Sequence, residues 1–298
     1  MIHKETRLRY FFESYELCVN IEYSKWHFRG RIDCMKRQIE DSSEIEYDKS
    51  GHGRTLVLLH AFPLSKAMWR AQIDDLCREW KVIAPNFRGI EESSPFEAAP
   101  SVEQCAHDLA ELLEEMRIAE PVNLCGLSMG GYVALAFARL YPQRLASLIL
   151  CDTRANADDE AARLKRDETI AFCQSHSAEE IIERQLPTLL GTTTRATRLN
   201  VVSKVKEIAR VLDPQSLALC VEAMRDREDS TALLSQIDVP TLVLCGDEDV
   251  LTPCEEAKSM AAQIRNSTFH VIHQAGHLSN LENPAEWNKT VKTFLREL

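Results

Sequence analysis

Five consecutive residues, Gly126-Leu127-Ser128-Met129-Gly130, carry the sharpest chemical signal in the chain. An apolar run at 122–125 precedes them and an alanine-rich stretch follows, so the serine is expected on a tight strand-to-helix turn, the nucleophile elbow. Such a turn strains the serine backbone, and its glycines leave room for neighbouring chain. The hydroxyl then stands at a helix N-terminus, where developing negative charge is favoured. A serine hydroxyl is a weak nucleophile until a base accepts its proton. Ala275-Gly276-His277-Leu278 supplies a candidate base just past an apolar run at 268–273. Three aspartates could serve that base: Asp247 and Asp249 follow a run at 240–245, and Asp152 follows one at 147–151. A tetrahedral oxyanion would need two fixed donors, and the backbone N–H groups of Met129 and of Phe62, in His60-Ala61-Phe62-Pro63, are assigned to it.

Each of these groups falls just past the carboxyl end of an expected strand, so the elements that position them must form one sheet edge. Short apolar runs at 55–59, 81–85, 122–125, 147–151, 240–245 and 268–273 read as strands. Between them, 66–80, 102–116, 130–141, 255–264 and 287–295 carry helical spacing. Strands alternating with helices predict an α/β fold, a mostly parallel, doubly wound sheet of about eight strands with both faces covered. Residues 153–236 interrupt the alternation with a Glu-, Arg-, Leu- and Ala-rich segment that reads as several helices. Entering between two strands, it is expected as a helical cap over the carboxyl edge, where open α/β sheets bind ligands. The expected division is a core of 35–152 and 237–298 and a cap of 153–236.

Residues 1–34 stand apart, holding seven of the 20 aromatic residues. They show no signal-peptide pattern and no clean periodicity. A poorly ordered extension upstream of a start at Met35 is the preferred reading over a helix docked on the body. The 298 residues carry 46 acidic against 35 basic side chains, a net charge of −11, so the chain offers no electrostatic footprint for nucleic acid. No apolar run approaches the ~20 residues that span a bilayer. The ten cysteines include no Cys-x-x-Cys and are scattered, which reads as buried reduced thiols in a cytoplasmic protein. His273 and His277 lack the Glu and the helix of a zinc-binding motif, so no metal and no cofactor is expected. Only ten glycines occur, and Gly89, Gly126, Gly130, Gly131, Gly246 and Gly276 lie beside the candidate residues, where backbone tolerates no Cβ.

Leu58-Leu59-His60-Ala61-Phe62-Pro63-Leu64, Met68-Trp69, Arg88-Gly89, the Ser128 pentapeptide and the Asp249 and His277 segments together resemble the α/β-hydrolase superfamily over residues 36–298. The order Ser, acid, His is the order of that superfamily. Cys151-Asp152-Thr153-Arg154-Ala155, Met224-Arg225-Asp226 and Val239-Pro240-Thr241-Leu242 are most similar to 3-oxoadipate enol-lactonase-like hydrolases and related esterases. The resemblance implies a serine hydrolase for a small ester or lactone. It places the acid at Asp249, four positions into Gly246-Asp247-Glu248-Asp249 and ahead of Pro253. Carbon–carbon bond hydrolases, perhydrolases and acyltransferases use the same triad, and a ligand receptor with little turnover is the reading from another class. The expected partner is a small molecule, with neither nucleic acid nor membrane; self-association into a homo-oligomer is compatible with the sequence. Two departures stand out. Ala61 replaces the usual glycine after His60, and Asn86-Phe87-Arg88-Gly89-Ile90-Glu91 replaces an Asp-x-Arg-Gly-x-Gly pattern, placing a charge near the rim of the site.

Overall fold

The computed structural model describes residues 32–96 and 100–298. Eight strands form one sheet: β1 Asp33–Gln38, β2 Glu44–Ser50, β3 Thr55–Leu59, β4 Lys81–Pro85, β5 Val122–Leu127, β6 Leu145–Cys151, β7 Thr241–Gly246 and β8 Ser267–Ile272. Their order is β1-β2-β4-β3-β5-β6-β7-β8; β2 runs antiparallel to both neighbours, and the other pairings are parallel. The expected strands are all present. The sequence reading missed β1 and β2 because both are rich in charge, and most of β1 is exposed at the sheet edge. It also placed the start of the core too late, since Asp33 and Cys34 pair with Lys49 and Asp48. The aromatic-rich segment before residue 32 lies outside the described residues.

The strands from β3 to β7 are mostly apolar because both faces of the sheet are buried, with Asn123 and Ser147 as buried polar exceptions that bond each other (2.8 Å). Alternate residues serve opposite cores. Val57, Leu59, Leu124, Leu148, Leu150 and Val243 face one core, beneath α2 Val102–Glu115, α3 Met129–Leu140 and α10 Cys254–Gln263. Leu56, Leu58, Cys125, Leu127, Ile149, Leu242 and Leu244 face the other, shared with α1 Arg70–Leu76 and α12 Pro284–Arg296. Local signals agree with these helices: the Ser101 side chain caps α2 by accepting from Gln104 N (3.0 Å).

Between β6 and β7 lie α4 Glu160–Cys173, α5 Ala178–Leu189, α6 Thr192–Thr197, α7 Leu199–Ala209, α8 Pro214–Asp226 and the short α9 Thr231–Leu234. These helices are not a detached layer. Ile170 and Cys173 of α4 with Leu217, Val221 and Met224 of α8 join the first core, whereas Leu186 of α5 and Val205 and Ile208 of α7 join the second. The insertion closes on itself at its base. Ser230 N donates to Ala155 O (2.8 Å), Ala157 N to Asp229 Oδ2 (2.9 Å), and the buried Arg227 reaches Asp158 (2.7 Å) and Asn156 O (2.7 Å).

The expectation that every cysteine is a reduced thiol is corrected at one pair. Cys245 is the penultimate residue of β7 and Cys254 opens α10, and the helix returns against its strand with the two Cα atoms 5.8 Å apart, joined as a disulfide. Cys77, Cys105, Cys125, Cys151, Cys173 and Cys220 are buried free thiols, and Cys34 is an exposed one.

Candidate active site

Ser128 occupies the junction of β5 and α3 with φ 55° and ψ −114°, backbone that a residue with a Cβ adopts only under constraint. The constraint is visible. Ser128 N donates to Cys151 O (2.9 Å), and Ser128 O accepts from Gly131 N (2.8 Å), Tyr132 N (3.2 Å) and Thr153 Oγ1 (2.9 Å). A Cβ at Gly126 would collide with the backbone of Gly130, and one at Gly130 with the backbone of Leu59, so both elbow glycines are required by close chain approach.

From this junction a chain of hydrogen bonds runs across the sheet edge. His277 Nδ1 donates to Asp249 Oδ2 (2.8 Å), leaving Nε2 to accept from Ser128 Oγ (2.7 Å). All three residues are buried, with 3% to 8% of their surface exposed. The carboxylate thus fixes the imidazole tautomer that can receive the serine proton. Asp249 is itself held by Leu251 N (2.8 Å), Thr252 N (3.0 Å) and Thr252 Oγ1 (2.5 Å). Burial acts to raise the Asp249 carboxyl, but the facing imidazole and the Thr252 bonds outweigh it and hold it below the ordinary aspartate range.

The other two aspartates are used elsewhere. Asp152 is fully buried, accepts from Gly246 N (2.8 Å) and is bonded by Ser279 Oγ; burial and the nearby Asp249 carboxylate push it well above the usual range. Asp247 accepts from Ala275 N (3.2 Å). Both brace the strand ends that carry Asp249 and His277. His273 bonds Glu286 (2.9 Å), away from His277. Among the described residues, no cluster of three or more His, Cys, Asp or Glu side chains is arranged to hold a metal ion.

Met129 is the first residue of α3, where an N–H has no intrahelical acceptor, and Phe62 lies in the turn that follows β3. Among the described residues neither N–H donates to a protein acceptor. The turn is gripped at both ends by the segment after β4. Phe87 N donates to His60 Nε2 (3.1 Å) at its start; at its end Lys66 N donates to Asn86 Oδ1 (2.7 Å), and Ser65 Oγ to Glu91 Oε1 (2.6 Å). The two sequence departures in that segment explain each other. Glu91 takes the position of a glycine with φ 50°, and its carboxylate accepts from Lys66 Nζ (2.9 Å) and Asn86 Nδ2 (2.9 Å). Asn86 Nδ2 also donates to Glu46 Oε2 (3.0 Å). An aspartate at 86 would face two carboxylates without a proton to give either; the amide satisfies both. Burial acts to lower Lys66, yet Asp48, Glu91 and Glu46 outweigh it and keep the ammonium charged.

Sequence reasoning assigned no role to Thr252, Thr153, Glu248, Glu282 or Gly191, all of which support the site. Gly191 carried a usable signal, being a rare glycine in a helical segment. A Cβ there would stand 2.9 Å from Gly276 N and 2.5 Å from Glu248 Oε2.

Residues 54–284 match the family model for the alpha/beta hydrolase fold. The chain is 26% identical over 279 residues to 3-oxoadipate enol-lactonase 2 of Acinetobacter baylyi, covering 91% of this chain and 98% of that one. A thermophilic esterase from Thermogutta terrifontis, solved with malate bound, superposes with a TM-score of 0.85 at 37% identity, over 89% of this chain and 98% of its own. The enol-lactonase of Burkholderia xenovorans superposes with a TM-score of 0.81 at 23% identity, over 88% and 100% of the two chains, a likeness of fold. With the family model spanning most of its length and the strand order above, this chain belongs to the α/β-hydrolase fold family.

Proposed function

We propose that the protein is a serine hydrolase that cleaves a small carboxylic ester or lactone through an acyl-enzyme on Ser128. The observation that carries this reading is the unbroken chain from Ser128 Oγ through His277 to Asp249, at 2.7 and 2.8 Å. The names of the A. baylyi lactonase and the T. terrifontis esterase support the substrate class. In this mechanism Ser128 Oγ attacks the carbonyl carbon as its proton passes to His277 Nε2. The Phe62 and Met129 N–H groups receive the oxyanion, and Asp249 stabilises the imidazolium. Collapse expels the alcohol, or the ring-opened hydroxyl of a lactone, with the proton returned by His277. Water deprotonated by the same nitrogen then attacks the acyl-enzyme and releases the acid. Helices α4–α9, inserted at the carboxyl edge of the sheet, are assigned to substrate selection.

A fluorophosphonate probe tests the reading. Wild-type protein should be labelled on Ser128 and Ser128→Ala should not; an unlabelled wild type would sink the proposal. A panel of esters, lactones and thioesters then identifies the preferred acyl group.

A further inference from the structure

We infer that Glu282 is a positioning residue for His277 and that it ties the geometry of the triad to one turn of the inserted helices, residues 191–193. The inference rests on the proposed role of His277 as the base. Glu282 closes the four-residue helix α11 Ser279–Glu282, is almost fully buried, and turns back under the loop that carries the histidine. Its Oε1 accepts from Gly276 N (2.9 Å) and Leu278 N (3.3 Å), the two peptides flanking His277. Its Oε2 accepts from Gly191 N (2.9 Å), between α5 and α6. One carboxylate therefore fixes the base loop and the cap turn against each other.

The acid loop is tied to the same turn. Glu248, the neighbour of Asp249, accepts from Thr192 Oγ1 (2.9 Å) and Thr193 N (2.8 Å) and bonds the Thr193 hydroxyl. Glu248 N donates to Ala275 O (2.8 Å), which joins the acid and base loops directly. Two separate carboxylates thus converge on three consecutive cap residues, one from each side of the Asp249–His277 bond. A surface ion pair would leave that bond indifferent to the cap. Here the three Glu282 contacts are buried hydrogen bonds to peptide N–H groups, whose loss leaves donors unsatisfied and shifts the backbone beside His277, while the Glu248 contacts, to one peptide and two hydroxyls, lie nearer the surface.

Gln at position 282 has one acceptor and one donor end, so whichever way the amide turns, its NH2 meets a backbone N–H. Ala at position 191 is allowed by the backbone, φ −60°, and its Cβ would meet Glu248 and Gly276 first. Neither substitution touches Ser128, His277 or Asp249. In both variants the low-field proton resonance of His277 Nδ1, identified by its loss in His277→Gln, should shift or broaden. On a p-nitrophenyl ester kcat should fall by up to about 100-fold, with KM changing far less. Far-UV circular dichroism confirms folding; Thr193→Val, which removes only one hydroxyl from Glu248, gives the same readout where Gly191→Ala does not fold. A resonance and kcat like wild type in folded Glu282→Gln and in the cap-turn variant would overturn the inference. The resonance reports the His277–Asp249 bond whether or not Ser128 takes the fluorophosphonate, so failure of the proposed function and failure of the positioning role are separate results.

Discussion

Acid should destabilise this protein through His60 before most of its carboxylates titrate. The ring is fully buried behind the turn that presents Phe62, tilted at 48° against the Phe87 ring with centroids 4.5 Å apart, with Nε2 accepting from Phe87 N and Nδ1 3.1 Å from Ala61 O. Burial pushes its pKa down to about 4, against an ordinary value near 6.5. In the folded chain the imidazole stays neutral to about pH 4, whereas in the unfolded chain it gains a proton from about pH 6.5 downward. Between those values the unfolded state binds one more proton, so stability falls as pH falls; the contribution is complete above 6.5 and exhausted below 4. A separation of about 2.5 units at 1.36 kcal/mol each amounts to about 3 kcal/mol, a large share of a typical 5–15 kcal/mol. The assay is urea unfolding at intervals from pH 7.5 to 3.5, for wild type and for His60→Gln, whose amide oxygen can still accept from Phe87 N. The glutamine variant should be less stable at pH 7, and the gap between the two curves should close by about 3 kcal/mol as pH falls to 4. Parallel curves across that window would refute the argument, since the carboxylates common to both proteins cancel in the difference.

Other outcomes follow from the site. Asp249→Asn should keep the fold and lower kcat by up to ~10⁴, because the amide no longer fixes the imidazole tautomer; Asp152→Asn should be mild, and the reverse ranking in steady-state kinetics would move the acid to β6. Glu91→Gly relieves a left-handed φ but removes the acceptor of Ser65 Oγ and one of the two acceptors of Asn86 Nδ2, and leaves Lys66 with Glu46 and Asp48. Its kcat should drop by about tenfold, and a boronic acid that mimics the tetrahedral state should bind correspondingly more weakly, with KM little changed; unchanged boronate affinity would show that the network does not serve the oxyanion turn.

The approach of Ser128, His277 and Asp249, the proposed triad, could be anticipated from the sequence because each sits just past a strand end in a motif whose spacing is dictated by backbone geometry. Gly126 and Gly130 are required by chain contact, and Asp249 lies just far enough beyond β7 to reach His277. The interior strands were equally legible, since burial on both faces makes them predominantly apolar. What escaped lacks such a pattern. β1 pairs by backbone bonds while carrying exposed charged side chains, and β2 shows only the two-residue alternation of Ile45 and Tyr47 among acidic neighbours, too short to stand out. Glu282 and Glu248 look like ordinary surface acids, and their role comes from long-range approach of the 191–193 turn. The Cys245–Cys254 disulfide joins a strand end to the helix that folds back on it, a proximity not visible in spacing alone. The Glu91 departure was noticed, but only Lys66, Ser65 and Asn86 in three dimensions show how its charge is neutralised.

The clasp at the base of the inserted helices also bears on how the chain reaches its native topology. Asp152 and Gly246, 94 residues apart, must meet for β6 and β7 to pair in parallel. Closing a flexible loop of that length costs about 4 kcal/mol in chain entropy before any strand contact repays it. The bonds joining residues 155–158 to 227–230 bring the two exits of the insertion together. An insertion that has collapsed on α4 and α8 therefore hands the sheet two nearby strands instead of two ends of a long coil. The effective contact order of the second half of the sheet falls, and its assembly is expected to be faster than the bare separation in sequence would allow. The segment proposed to select substrate would then also be the scaffold on which β7 and β8, with Asp249 and His277 beyond them, are recruited to Ser128.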